Sequence, residues 1–307
     1  MAAIALGFGA QAARGTAEAS GDAAVVATDH RGTKVVLAAA AQRVISLAPH
    51  ATEMLFAVGA GNRIVGVMPP ADWPPEAHML PQVASNGVLD LERIIALRPD
   101  LVIAWPYAAP AQTERLRALG IPVYESNPRT PDDIAVDMER IGVLTGSAAQ
   151  GARAAASFRL DLARLQRHAA QKRVRVFYEI WPSPLYTLGG GHWVTAALRA
   201  CGAENVFGDL KLPAPVVTVE AVLAARPDAI IAGTDGGVRP AWLDEWRHWP
   251  ELPAVAQGNL STVDANLLHR AGPRFVRGAE ALCAVVDDVR QRRSAAVPAA
   301  PASPLPR

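Results

Sequence analysis

A chain of 307 residues has room for two domains of ordinary size, each with its own core. Its 30 basic and 29 acidic side chains leave a formal net charge of +1, so no nucleic-acid partner is expected. Half of the residues are apolar and 19% are charged, a globular profile, and no apolar run reaches the roughly 20 residues of a membrane span.

Residues 1–22 read as a leader. Met1 to Ala12 is apolar and ends in Ala10-Gln11-Ala12, the small-x-small pattern of signal-peptide cleavage, but no basic residues precede it. It is either an apolar tail or a signal peptide whose start was placed too late; the cleavage pattern favours the second. No cysteine follows the cut, so no lipid anchor is expected. AVVATD and KVVLA then flank His30-Arg31-Gly32-Thr33 as a hairpin. RVISL (43–47) is a buried-type strand stopped by Pro49, and Thr52 precedes a helical stretch ending at glycines. Asn62 to Val67 is the next strand, and 68–88, rich in Pro and turn residues, is a surface loop. A helix from Asp90 to Leu97, the strand DLVIAW, a helix from Ala111 to Leu119, a strand at Val123-Tyr124 and a helix from Pro131 to Thr145 complete a lobe over 23–145.

Residues 146–171 contain no proline and favour Ala, Arg, Leu and Gln, which predicts one stiff connecting helix about 35 Å long. The second lobe, 172–292, runs through a strand at Arg175 to Tyr178 and a Pro/Gly-rich loop. In that loop Gly189-Gly190-Gly191 is a flexible turn. The helix VTAALRAC, a loop with Trp242, Trp246 and Trp249, the strand LSTVD and a helix from Pro273 to about Arg290 follow. The tail, 293–307, is low in complexity and expected to be disordered.

One phrase occurs in both lobes. LERIIALRPDLVIAW from Leu91 and VEAVLAARPDAIIAG from Val219 align without a gap, sharing Glu at the second position, a helical apolar pattern and Arg-Pro-Asp. The expected fold is therefore α/β: two Rossmann-like lobes with mainly parallel sheets, joined by one long helix, with a cleft between them. In such sheets ligands gather at the carboxyl ends of strands. Those ends carry Pro49 and His50, Trp73, Trp105 and Tyr107, Ile180 and Trp181, and Asp264 and Arg270; Asn86 in the long loop joins them as a ligand-binding candidate. Three of seven tryptophans stand there, which suits a large, flat, partly apolar ligand.

No G-x-S-x-G, H-E-x-x-H or G-x-x-x-x-G-K-[ST] motif is present, so no catalytic residues are assigned. A zinc site from His50, His192, His269 and Asp264 is the metal alternative, weighed against local hydrogen bonding of each imidazole. Glu92 and Glu220 open the helices of the repeated phrase, where an acid also favours the helix dipole. Cys201 and Cys283 would be buried small hydrophobes in a reducing compartment or one disulfide in an exported protein.

From Ala24 to Arg290 the chain resembles the periplasmic substrate-binding proteins of the helix-linked class, which serve ABC importers of cobalamin, haem and iron–siderophore complexes. RVISLAPHATEMLFAVGAGNRIVGV, DWPPEA, LDLERIIALRPDLVIAW and CGAENVFGD carry the resemblance. The cobalamin (vitamin B12)-binding branch is the nearest match, through Trp73, Trp105 and the segment holding Asp264 and Arg270-Ala271-Gly272-Pro273-Arg274. Ala214 stands where that branch often has Trp, two extra residues lie between Asp264 and Arg270, and Trp181 replaces a neighbouring aromatic.

The resemblance implies a monomeric periplasmic carrier, neither an enzyme nor the holder of a resident cofactor or metal. It would capture a corrinoid, cobalamin or cobinamide, between the aromatic strand ends, with Asp264 and Arg270 on polar groups of the ligand. It would then dock on an ABC permease through Glu92 and Glu220. The resemblance also implies a Cys201–Cys283 disulfide and, from the stiff connection, little closure on binding. Haem, with His50 or a tyrosine as axial ligand, or a ferric siderophore is the alternative cargo; a metal-dependent hydrolase is the alternative from another class.

Overall fold

The computed structural model describes residues 24–166 and 170–295; the expected leader and most of the expected tail lie outside the described residues. β1 (Val25–Thr28) and β2 (Lys34–Leu37) form the antiparallel hairpin, Val25 opposite Leu37. Asp29 shapes its turn, Oδ1 accepting the N–H groups of Arg31 and Thr33.

β3 (Val44–Leu47), wholly buried, leads into α1 (Pro49–Ala57). Pro49 does more than stop the strand: at the first helical position its missing N–H would have had no partner, so the helix starts ahead of Thr52. β4 (Ile64–Val67) follows. The stretch 68–88, expected as plain loop, holds a 3-10 turn (Pro75–Met79) and the first strand of a small hairpin, β5 (Ala84–Ser85) with β6 (Val88–Leu89). α2 (Leu91–Ala96), β7 (Leu101–Ala104), α3 (Pro110–Ala118), β8 (Val123–Glu125) and α4 (Pro131–Leu144) come next. The sheet has the order β4-β3-β7-β8, every pair parallel.

The connection differs from the long rod expected. α5 (Ala148–Leu165) has 18 residues, about 27 Å at 1.5 Å each, and folds back on α4. Gly146, at φ 65°, makes the turn between them. A Cβ on Gly151 would stand 2.6 Å from the Met138 carbonyl oxygen, so glycine is what lets the two backbones touch. Ala155, Phe158 and Leu165 of α5 join a buried cluster that contains Leu101 and Ile134 on one side and Val176 and Phe275 on the other.

The second sheet is built from β9 (Val174–Pro182), β10 (Leu185–Thr187), β11 (Ala203–Asn205), β12 (Ala229–Thr234) and β13 (Leu260–Asp264). The order is β10-β9-β12-β13, with β11 beside the start of β9; only β10 is antiparallel. Its helices are α6 (Trp193–Ala200), α7 (Val219–Ala225), α8 (Pro253–Ala256), α9 (Ala265–Leu268) and α10 (Phe275–Ala295), the last running beyond the expected end at Arg290. The loop with three tryptophans contains a 3-10 turn (Ala241–His248) whose Trp246 is buried edge-on against Phe177. Cys201, closing α6, and Cys283 in α10 form the disulfide, with Cα atoms 4.7 Å apart.

The repeated phrase becomes α2–β7 and α7–β12, and the copies do the same work. Arg98 and Arg226 end the helices with φ 47° and 45°. The Asp100 carboxylate accepts the N–H groups of Gln42 and Arg43 ahead of β3, and that of Asp228 accepts the N–H of Arg175 in β9. Arg-Pro-Asp thus turns each helix into its strand and pins that strand's neighbour in register. Gly189 and Gly190 are a close approach of backbones, not a loose turn. A Cβ on either would stand 1.9 Å from the Leu212 carbonyl oxygen or 2.1 Å from that of Gly208.

Candidate ligand cleft

Parallel strands bring their carboxyl ends to one edge of each sheet, and four side chains show that these edges face each other. Glu53 lies on α1 after β3 and Asp72 follows β4; Arg270 and Arg274 follow β13. Arg270 donates through both Nη atoms to Asp72, at 2.8 Å for Nη2, and through Nη2 to Asn266 Oδ1 at 2.7 Å. Its Nη1 is 3.4 Å from Glu53 Oε1. Arg274 donates to both Glu53 oxygens, at 2.6 and 3.0 Å, and its guanidinium lies 4.8 Å from the centroid of the Trp73 ring. The Arg270 guanidinium holds Asp72 below the usual carboxylate range.

The expected ligand residues occupy this arrangement unevenly. Trp73, Trp105 and Trp181 are 38%, 36% and 58% exposed, and Tyr107, 65% exposed, meets Trp105 edge-on at 5.3 Å. Trp181 stands on the β9–β10 hairpin opposite Tyr186, with Ile180 packed against the core beside it. Trp73 also lines a hollow of about 350 Å³ with Glu53, Phe56, Pro273 and Arg274. Pro49 opens α1 and His50 follows it, buried. Asn86 tips the β5–β6 hairpin: Asn86-Gly87, at φ 50° and 77°, supplies the two positive-φ residues such a tight turn requires. Asp264 caps α9, Oδ1 accepting the Asn266 N–H at 2.8 Å. Arg270 is bound to N-lobe acids, not left open to solvent.

The histidines are separately engaged. His50 Nε2 is 3.0 Å from Ser126 Oγ, which donates to Asp137 Oδ2 at 2.6 Å; Tyr124 OH and His30 share the other oxygen of that buried acid. His269 Nε2 bonds Tyr178 OH at 2.8 Å, and His192 Nδ1 accepts the Val194 N–H at the start of α6. Burial pushes His50 and His269 down to about 4 and His192 to about 3, so all three are neutral at pH 7. Among the described residues no three His, Cys, Asp or Glu side chains gather as a metal site, and the zinc set does not assemble.

Glu92 and Glu220 are second in α2 and α7, exposed, after the caps Asp90 and Thr218. A helix leading into a parallel strand runs against it, so both acids stand at the sheet edges where the cleft opens. The backbone N–H of Glu220 and the Thr218 hydroxyl lower its pKa.

Three residues that the sequence reading did not single out for a role are engaged here: Glu53 and Arg274 between the lobes, the latter quoted only within the segment carrying the resemblance, and Glu179 buried in the second lobe. Glu53 and Glu179 are acids inside apolar runs, TEML and YEIW, which is the available signal. Glu179 in β9 accepts the Trp246 Nε1–H at 2.7 Å, and burial pushes its carboxyl up to about 7.

Two lobes facing across their strand ends, with exposed aromatic side chains on both, define a solute-binding protein. The chain belongs to the periplasmic binding protein family, whose profile matches residues 44–267. It is 35% identical over 257 residues to the vitamin B12-binding protein of Vibrio parahaemolyticus, covering 82% of this chain and 92% of that one. To the vitamin B12-binding protein of Pectobacterium carotovorum it is 36% identical over 247 residues, covering 79% and 87%. The solved periplasmic vitamin B12 binding protein of Vibrio cholerae superposes with a TM-score of 0.73 at 34% identity, over 82% of this chain and 98% of that one. The periplasmic heme-binding protein RhuT from Roseiflexus sp. RS-1 gives a TM-score of 0.70 at 26% identity, over 81% and 98%. The members of this family are carriers, not enzymes, and what they bind is transported.

Proposed function

We propose that this protein captures a corrinoid, cobalamin or cobinamide, in the cleft between its lobes and delivers it to an ABC import permease. The observation that carries the reading is the set of aromatic side chains left a third or more exposed at the strand ends, Trp73, Trp105 and Tyr107 on one lobe and Trp181 on the other. Apolar area held in water at a concave junction gains free energy when a large ring system covers it. Relatives named for vitamin B12 that align over most of the chain support the corrinoid over other macrocycles.

The His50 imidazole favours the same choice. Haem bound through His50 would need that imidazole open to the cleft, yet it is buried and engaged with Ser126. A cobalamin brings its own axial ligands and asks for none. Asp264 keeps Oδ2 for a ligand amide, while Arg270 would serve the ligand from its place beside Asp72. Glu92 and Glu220 are the acids offered to basic residues of the permease, the protein acting as a periplasmic monomer. Lobes at 23–145 and 172–292 joined through 146–171 would close little.

Equilibrium dialysis of the purified protein against an equimolar mixture of cyanocobalamin, haemin and a ferric hydroxamate tests the choice. Retention of cyanocobalamin alone supports it. Retention of haemin with a Soret shift that His50→Ala removes overturns it.

A further inference from the structure

The two arginines that cross between the lobes are held by more than surface ion pairing. Glu53 is a buried acid, its side chain only 2% exposed, and it accepts from Arg270 and Arg274, which lie 217 and 221 residues further along the chain. Arg270 is fixed on its other side by Asp72 and by Asn266 of α9. Between the two arginines Gly272 seats against α1. A Cβ there would lie 3.2 Å from Glu53 Oε2 and 3.5 Å from His50 Cβ, so the backbone of one lobe rests directly on the helix of the other.

We infer that Glu53 is a positioning residue of the cleft: through Arg270 and Arg274 it locks the two lobes at a preset opening and pins the Trp73 indole as part of the wall. Two acids and two arginines balance, so the closed cluster buries no net charge. Parting the lobes would strip Glu53 of both arginines at once, and breaking a buried ion pair by removing its partners is costly. Arg274, anchored by Glu53, stacks over Trp73 and holds that ring in place without ligand. The ligand therefore enters a slot of fixed width. Binding energy that would otherwise order the lobes and the indole is retained as affinity.

The corrinoid enters this inference only as the probe ligand; the locked opening is a property of the free protein. Spin labels at Arg115→Cys and Glu251→Cys, one exposed site on each lobe, report the distance between lobes by double electron–electron resonance. The expected result is one narrow distance, the same with and without cyanocobalamin. In Glu53→Gln the distribution broadens without ligand, and cyanocobalamin leaves about tenfold faster, a change of about 1.4 kcal/mol. Glu53→Gln with Arg274→Met removes both partners of the buried pair. It should recover thermal stability yet keep the broad distance. If Glu53→Gln does not fold, Arg274→Gln carries the same test from the less buried partner. A wild-type distance that is broad and narrows on ligand overturns the inference, as does a distribution left narrow by both substitutions. Failure of cyanocobalamin to bind wild type would refute the corrinoid reading alone, since the ligand-free distances still decide whether the lock exists.

Discussion

Reduction of the Cys201–Cys283 disulfide should destabilise the protein without reshaping it. The two cysteines are 82 residues apart, both buried, tying the end of α6 to the middle of α10. In the chain-entropy account, closing a loop of that length removes about 15 cal/mol/K from the unfolded chain, or about 4.5 kcal/mol at 25 °C. The folded state loses little, because a pair of reduced thiols in that place packs as small hydrophobes. With an unfolding entropy of about 2.1 cal/mol/K per residue over 307 residues, the midpoint of thermal unfolding should fall by about 7 °C. The assay is urea unfolding of oxidised wild type beside Cys201→Ala/Cys283→Ala, followed by far-UV circular dichroism. The native spectra should coincide, and the midpoint should drop with a slope that is no smaller, since the uncrosslinked denatured chain is less compact. Equal midpoints would refute the entropic reasoning; a changed native spectrum would show that the bond shapes the lobe.

Three further outcomes are expected. Exchanging Glu92 and Glu220 for Lys together should abolish uptake in cells yet leave the dissociation constant for cyanocobalamin within about twofold, since both acids are exposed at helix starts and neither is among the residues assigned to the ligand. Full transport by the double variant would reduce both acids to helix-dipole partners. Glu179 is pushed up to about 7, so the stability it contributes is complete below the ordinary carboxylate pKa and lost as pH rises through about 7. Glu179→Gln should abolish that alkaline loss and a tryptophan-fluorescence titration step near pH 7 from Trp246, and a step that persists would contradict the assignment. Gly189→Ala should cost about 2 kcal/mol or more in urea unfolding, because its Cβ has no room beside the Leu212 carbonyl oxygen.

Period and punctuation made the two parallel sheets legible in the sequence, and the doubled phrase related them. The phrase's Arg-Pro-Asp has the same local job in both copies, turning a helix into its strand and holding the neighbouring strand. The connection was less legible. Helix-forming composition reports where a chain can be helical, whereas Gly146, Gly142 and Gly151 decide that α5 folds back on α4, a contact composition does not encode. Asn86 shows the converse: Asn-Gly between short apolar pairs is a turn signal, and the loop reading passed over it. At the cleft, aromatic strand ends were visible because parallel topology places them. Arg270 was visible too, but its partners Glu53 and Asp72 come from more than a hundred and ninety residues earlier, and charge pairing at that range has no periodic trace.

The central claim is that the aromatic side chains at the strand ends form the wall of a corrinoid cleft. Titration of purified protein with cyanocobalamin, following tryptophan fluorescence in wild type and in Trp105→Ala, tests it most directly. The account predicts saturable quenching in wild type with a submicromolar dissociation constant, weakened by about tenfold or more in the variant, as expected for a stacking contact worth about 1.5 kcal/mol. Quenching that does not saturate, or a dissociation constant that Trp105→Ala leaves unchanged, would contradict it.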